Sequence, residues 1–272
     1  MIQFAERTHP GRRSGANEDA TGSSAARQWY FVADGMGGQG NGCVASSIVK
    51  QSMESSDSPA ELLFAIHHSH QQVLAATEQN PALRNMGSTI VALEIKDRVA
   101  NAAWVGDSRG YLYRDKKLKR ITRDHSYVEV LRLIQGLTED QVRGHPESNV
   151  ITRGLGMEEA AASMTLVPLR TADRFVLCSD GLTDELTDPE IERVLGEAGS
   201  VDEAADKLIA HALANGGRDN VSVVVVQYDG PTNHTYWIKN LNAGLLWPIV
   251  TGILTATGLV AAILWWLSRH HS

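Results

Sequence analysis

The chain has 272 residues, of which 43% are hydrophobic and 21% charged. This globular balance excludes a disordered, collagen-like or coiled-coil protein. The net charge is −7, and an acidic body without a Lys/Arg stripe excludes nucleic acid as a main partner. Two cysteines, Cys43 and Cys178, are too few for a disulfide framework, so a reducing compartment is expected.

Residues 1–9 are mixed and polar, without the charged-then-apolar order of a signal peptide. Strand patterning covers residues 29–34 (WYFVAD), 88–95, 100–107, 110–114, 174–180 and 221–228 (VSVVVVQY). The links at 96–97 and 115–117 are too short for parallel crossovers and predict antiparallel hairpins. Helical periodicity covers 42–53, 59–77, 127–134 and 201–214. The polar stretch 126–149 reads as a surface insertion carrying a helix or two. A turn cluster at 229–233 closes an α/β domain over residues 1–229, and a linker over 230–243 follows.

Three apolar strands end in an aspartate beside glycine: Val32-Ala33-Asp34-Gly35, Trp104-Val105-Gly106-Asp107 and Cys178-Ser179-Asp180-Gly181. A fourth aspartate, Asp219, stands just before the most apolar strand. In an antiparallel sandwich, three strand exits and one entrance meet on a single rim. Two carboxylates about 4 Å apart repel by about 4 kcal/mol at an effective dielectric near 20. Four together therefore require shared protons or bound cations, and an all-oxygen set selects hard ions such as Mg²⁺ or Mn²⁺. Asn17-Glu18-Asp19 adds two more carboxylates. Residues Gly35 to Gly40 also match G-x-G-x-x-G. Asp34 directly before the first glycine opposes a pyrophosphate, however, and the hairpin spacing disagrees with a parallel dinucleotide-binding sheet.

The ordered set Asn17-Glu18-Asp19, Asp34-Gly35-Met36-Gly37-Gly38, Gly87-Ser88-Thr89, Val105-Gly106-Asp107-Ser108-Arg109, Asp124-His125-Ser126, Ile151-Thr152-Arg153-Gly154-Leu155-Gly156, Cys178-Ser179-Asp180-Gly181-Leu182 and Gly217-Arg218-Asp219-Asn220 resembles the bacterial PP2C-type (PPM family) serine/threonine phosphatases over residues 5–228. The resemblance implies an α+β fold, an α-β-β-α sandwich of two antiparallel sheets flanked by helices. It also implies two core Mn²⁺ or Mg²⁺ ions and hydrolysis of phosphoserine and phosphothreonine by an activated water. By position, Asp34 is expected to bridge the two ions and the Gly35 carbonyl to bind the first. Asp180 and Asp219 are expected to hold the second, with Glu18 and Asp19 acting directly or through water. Asp107, with Asp180 and Asp184, matches a third, weaker ion site. The resemblance further implies phosphoprotein substrates of a bacterial Ser/Thr kinase. A binding module that keeps the fold without turnover would have no reason to retain Asp34, Asp180 and Asp219 together.

Three positions depart from the family pattern. The phosphate-binding Arg expected three residues before Asn17 is Ser14 here, so Arg13, one position earlier, is the candidate. Met36 and Gln39 stand where many members carry histidine. Elsewhere, His67, His68 and His70 are expected on a solvated helix face, Cys43 and Cys178 in packed positions, and His145 at the surface.

Residues 244–267 carry no charged side chain. As a helix they span about 36 Å, enough for a hydrocarbon core of about 30 Å. Trp247 and Trp265-Trp266 sit near the two ends, as interfacial aromatics do. Small residues at Gly252/Ala256 and Gly258/Ala262 favour weak helix-mediated dimerisation. Lys239 and Arg269 nearly balance, which leaves the positive-inside rule silent. The run is expected to pass once through the inner (cytoplasmic) membrane, and the lack of a signal peptide, the unpaired cysteines and the phosphoprotein substrates set its orientation. The catalytic domain is then in the cytoplasm and the tail 268–272 on the far side.

Overall fold

Why residues 221–228 are valine-rich follows from where they sit. In the computed structural model Val224 and Val226 point between two sheets, while Val221, Val223 and Val225 point beneath helices. A strand covered on both faces loses the polar alternation of a half-exposed one. Each fully buried aliphatic side chain contributes about 1.5–3 kcal/mol relative to exposure. The structure describes residues 1–13, 15–55, 61–138, 141 and 145–233.

In chain order the elements are β1 (Ile2–His9), β2 (Asp19–Ser24), β3 (Trp29–Met36), α1 (Asn41–Glu54), α2 (Leu62–Gln79), β4 (Gly87–Ser88), β5 (Ile90–Lys96), β6 (Val99–Val105), β7 (Arg109–Arg114), β8 (Lys117–Arg120), α3 (Tyr127–Gln135), β9 (Ser163–Pro168), β10 (Asp173–Cys178), α4 (Asp180–Thr183), α5 (Asp188–Glu197), α6 (Val201–Asn215) and β11 (Val221–Tyr228). One sheet runs β1-β11-β10-β7-β8 and the other β2-β3-β5-β6-β9, with β4 paired to β3. Every described pairing is antiparallel. Met1–Pro231 forms one compact unit.

Tyr30, Val32, Val91, Leu93, Phe175 and Leu177 join β11 in the layer between the sheets. Met53, Ile66 and Val73 of α1 and α2 cover the outer face of the second sheet. Leu182, Ile191, Val194 and Leu208 of α4, α5 and α6 cover the first. The β5–β6 and β7–β8 hairpins turn on Asp97-Arg98 and Asp115-Lys116, both pairs with positive φ. Such primed turns match the right-handed twist of the strands.

Two side-chain expectations need correction. His70 is buried rather than solvated, because its face of α2 packs on the loop after residue 150, where its Nδ1 accepts a hydrogen bond from Gly156 N at 3.0 Å. Cys43 is exposed rather than packed, because Gly42, Ala45 and Ser46 form the inner side of the first turn of α1. Cys178 is buried, and burial pushes its thiol up to about 12. The expected membrane helix over 244–267 lies outside the described residues. Among those described, no helix is long and apolar enough to cross a membrane.

Candidate active site

Close backbone packing brings the strand ends together. Asp19 opens β2 directly opposite Asp34 near the end of β3, and Gly35 N donates to Glu18 O at 3.0 Å. A Cβ on Gly35 would collide with the Gly42 carbonyl, so only glycine lets the first turn of α1 lie on this strand end. A Cβ on Gly42 would sit 2.9 Å from the Glu18 carboxyl carbon, so that carboxyl rests close over α1. Asp107 follows Gly106, whose φ of +102 turns the chain from β6 into β7. Asp180 begins α4, and a Cβ on the next residue, Gly181, would strike the Asn220 carbonyl. That contact sets Asp180 beside Asp219.

Hydrogen bonds fix these ends to one another. Asn220 Oδ1 accepts from Glu18 N at 2.7 Å, while its Nδ2 donates to Pro10 O and Ala16 O at 3.0 and 3.1 Å. One side chain thus ties the 10–18 loop to the start of β11. Ser179 Oγ donates to Asp19 Oδ2 at 2.8 Å and accepts from Ser222 N at 3.0 Å, linking the two sheets. Asp34 N donates to Thr89 Oγ1 at 3.1 Å, and Thr89 Oγ1 lies 2.7 Å from Ser108 Oγ. Asp107 is held from both sides by one dipeptide. His125 N donates to Gly106 O at 2.9 Å and its Nδ1 accepts from Gly106 N at 3.2 Å. Asp124 takes the Arg109 guanidinium at 2.8 and 3.0 Å.

The electrostatics show that the carboxylates share one region. Burial, then the charges of Asp180, Asp19 and Asp107, push Asp34 well above the usual carboxylate range. Burial, then Asp107, Asp184, Asp219 and Asp19, do the same to Asp180. Burial and Asp124 raise Asp107 to about 7, and burial raises Asp19 to about 6 with help from Asp219. Burial also raises Asp184. His125 moves the other way, to about 4, because burial and then Arg153 disfavour its cation. Asp34, Asp107 and Asp180 are half-buried, and Asp184 and Asp219 are exposed.

This sandwich matches known proteins. Residues 9–216 match the family described as Protein phosphatase 2C. The chain belongs to the protein phosphatase 2C family. It is 36% identical over 239 residues to the serine/threonine protein phosphatase PstP of Mycobacterium tuberculosis. That match covers 84% of the chain but only 46% of the mycobacterial protein, so the chain spans about half that relative's length. It is 34% identical to the serine/threonine phosphatase stp of Listeria monocytogenes, covering 82% of the chain and 94% of that protein. The crystal structure of the PstP catalytic domain in complex with two manganese ions superposes with a TM-score of 0.74 at 33% identity, covering 83% of this chain and 97% of that one.

In this family fold, Asp19, Asp34, Asp107, Asp180, Asp184 and Asp219 share one rim, and the Glu18 and Gly35 backbones are hydrogen-bonded beside it. Arg13 is exposed on the turn after β1. That turn is seated on the Asp219 loop, because Arg12 N donates to Gly217 O at 2.7 Å and a Cβ on Gly11 would collide with the Asp219 carbonyl. The donor set suits a hard cation, and Asp19 Oδ1 is a buried oxygen with no hydrogen-bond partner. Among the described residues, no three His, Cys, Asp or Glu side chains already close on one point. Backbone contacts gather the strand ends that carry them. Asn220, Ser179 and His125 lie in the motifs of the resemblance, but their roles are set by partners distant in the chain.

Proposed function

We propose that this chain is a metal-dependent serine/threonine protein phosphatase that hydrolyses phosphoserine and phosphothreonine in proteins. The observation that carries the reading is the gathering of six aspartates on one rim of a protein phosphatase 2C fold. Asp34, the Gly35 carbonyl, Asp180 and Asp219, with Glu18 and Asp19, would hold two core Mn²⁺ or Mg²⁺ ions. Asp107 and Asp184, with Asp180, would hold a third, weaker one. When bound, such a pair of cations lowers the pKa of a shared water and neutralises phosphoryl charge.

The chain's own groups do the positioning. Ser179 and Asn220 fix Asp19 and the Glu18 backbone, Thr89 fixes Asp34, and the Asp124-His125 dipeptide fixes Asp107. Arg13 binds the substrate phosphate through its guanidinium fork. Cys178 is no nucleophile, because its buried thiol stays protonated. On this reading water is the group that attacks phosphorus, as the family resemblance implies, without a covalent intermediate on the protein.

The uncharged run 244–267, with tryptophans near both ends, supports a single-pass anchor in the cytoplasmic membrane that pairs weakly with another copy. The catalytic domain then meets phosphoprotein products of a Ser/Thr kinase in the cytoplasm. The deciding experiment follows phosphate release from a phosphothreonine peptide by the full chain in Mn²⁺ and in EDTA. Release in Mn²⁺ alone supports the reading; release that EDTA does not suppress, or none in either, overturns it.

A further inference from the structure

A groove of about 650 Å³ lies on the side of the sandwich where both sheets end, between β9, the segment after β8, and α3. Its lining combines three arginines, Arg120, Arg123 and Arg153, with apolar Leu133 and Met164. The two acids of the lining are already matched. Glu129 receives the Arg132 guanidinium at 2.7 and 2.8 Å, and Asp124 receives Arg109 at 2.8 and 3.0 Å. Arg123 is 63% exposed and reaches Glu129 only at 3.5 Å. Arg153 meets two neutral groups, the His125 ring at 3.5 Å and Ala161 O at 3.4 Å. On a chain of net charge −7, this is a concave surface with surplus positive charge.

The groove also has an open strand edge and a link to the acidic rim. β9 is the last strand of its sheet, and among the described residues nothing pairs with its outer side. Its Met164, 45% exposed, lines the groove together with Val130 and Leu133 of α3, which are 43% and 52% exposed. The His125 side chain in the groove wall is hydrogen-bonded to Gly106, the residue before Asp107.

We propose that this groove seats the part of the phosphoprotein substrate that flanks the phosphoresidue, extended alongside β9, with acidic or phosphorylated side chains on Arg123 and Arg153. The strand edge offers backbone hydrogen bonds to any extended chain, and the guanidinium forks select anionic ones. An anionic lipid surface fits less well, since the arginines line a concavity walled by a strand. The proposal rests on the phosphatase reading and deepens it by naming the substrate class, a phosphopeptide with acidic or phosphorylated neighbours.

The test uses the full chain in detergent with Mn²⁺ and two phosphothreonine peptides that differ only in flanking Asp/Glu or Ser/Gln. The wild type is expected to favour the acidic peptide in kcat/KM. In the doubly reversed variant Arg123→Glu/Arg153→Glu that preference should fall about tenfold or more, through KM, the effect of losing one charge-assisted hydrogen bond. Arg123→Gln alone, at an exposed position, should lose part of it and guards against misfolding of the double variant. Equal rates on both peptides, or a preference that survives charge reversal, overturns the proposal. So does loss of binding to anionic phospholipid vesicles with the peptide preference intact. Fluorescence anisotropy with a labelled, unphosphorylated acidic peptide separates the two readings. Arginine-dependent binding without any hydrolysis removes the phosphatase reading and keeps the groove, and hydrolysis without such binding does the reverse.

Discussion

Asp19 and Asp34 face each other at one register position of the β2–β3 ladder. Like charges directly opposite across antiparallel strands destabilise the pair. Here the strain is compounded, since Asp180 and Asp107 also raise Asp34 and Asp219 also raises Asp19. A fold gains nothing from such a pair by itself. On the proposed function its use is to hold oxygen atoms in place for a cation that a single carboxylate binds weakly.

Asp34→Asn or Asp180→Asn is accordingly expected to abolish phosphatase activity while the domain stays folded. Relief of repulsion should raise the melting temperature of the metal-free protein. Circular dichroism melts in EDTA and steady-state rates in Mn²⁺ check both halves. Retention of more than about a tenth of the wild-type rate would rule out the two-ion mechanism.

Asp107 also raises Asp34, but its neighbours Gly106 and Arg109 are held by His125 and Asp124 instead of by the β2–β3 register. Asp107→Ala is expected to keep two Mn²⁺ by calorimetry and to lose turnover of phosphopeptides. His125→Ala should give a milder form of the same split, while His125→Asn, which keeps an acceptor near Gly106 N, should recover part of the rate. Loss of all ion binding in Asp107→Ala would instead make this residue part of the core site.

The strand-end aspartates were legible because Asp34, Asp107 and Asp180 each follow an apolar run and adjoin glycine, and Asp219 stands just before the most apolar strand, both local patterns. Strands β1 and β2 were not legible. β2 is Asp-Ala-Thr-Gly-Ser-Ser, poor in strand-forming residues, and it is extended because β3 offers it a ladder. The helix 188–197 was missed although Thr187 and Glu190 form a capping box, since its apolar residues are few. The spacing of His67 and His70 identified a helix face but not which side of it faces the protein. Only the contact with Gly156 decides that. The same limit hid the partners of Asn220 and Ser179, which act on Glu18 and Asp19 from the far end of the chain.

Arg13 follows Gly11 and Arg12, whose backbones are seated against the 217–219 loop, so its backbone lies beside the rim. Arg13→Ala is expected to raise KM for phosphopeptides several-fold, with a smaller effect on kcat. Arg13→Lys keeps the charge but loses the bidentate fork and should recover only part of the affinity. An unchanged KM in the alanine variant would move phosphate recognition to another residue.

The anchor proposal is checked by fractionation. Full-length protein is expected to remain with membranes through a carbonate wash, and residues 1–235 to be soluble. A reporter fused after Ser272 should report a non-cytoplasmic end. Full-length protein in the soluble fraction would defeat the proposal.

The raised carboxylates fix the sign of the pH dependence. Burial brings Asp107 to about 7 and Asp19 to about 6, against about 4 for an exposed carboxyl. Between these values the folded domain holds protons that the unfolded chain has released, so stability falls as pH rises. The contribution is complete below about pH 4 and gone above the folded values. Divalent cations compete with the same protons and should stabilise the domain more as the carboxylates ionise. In EDTA the melting temperature of wild type is therefore expected to fall from pH 5 to pH 8, and added Mn²⁺ to raise it more at pH 8 than at pH 5. Asp34→Asn should flatten both trends. A metal-free domain that becomes more stable toward pH 8, or an Mn²⁺ effect equal at both pH values, would mean that these aspartates do not seat the ions.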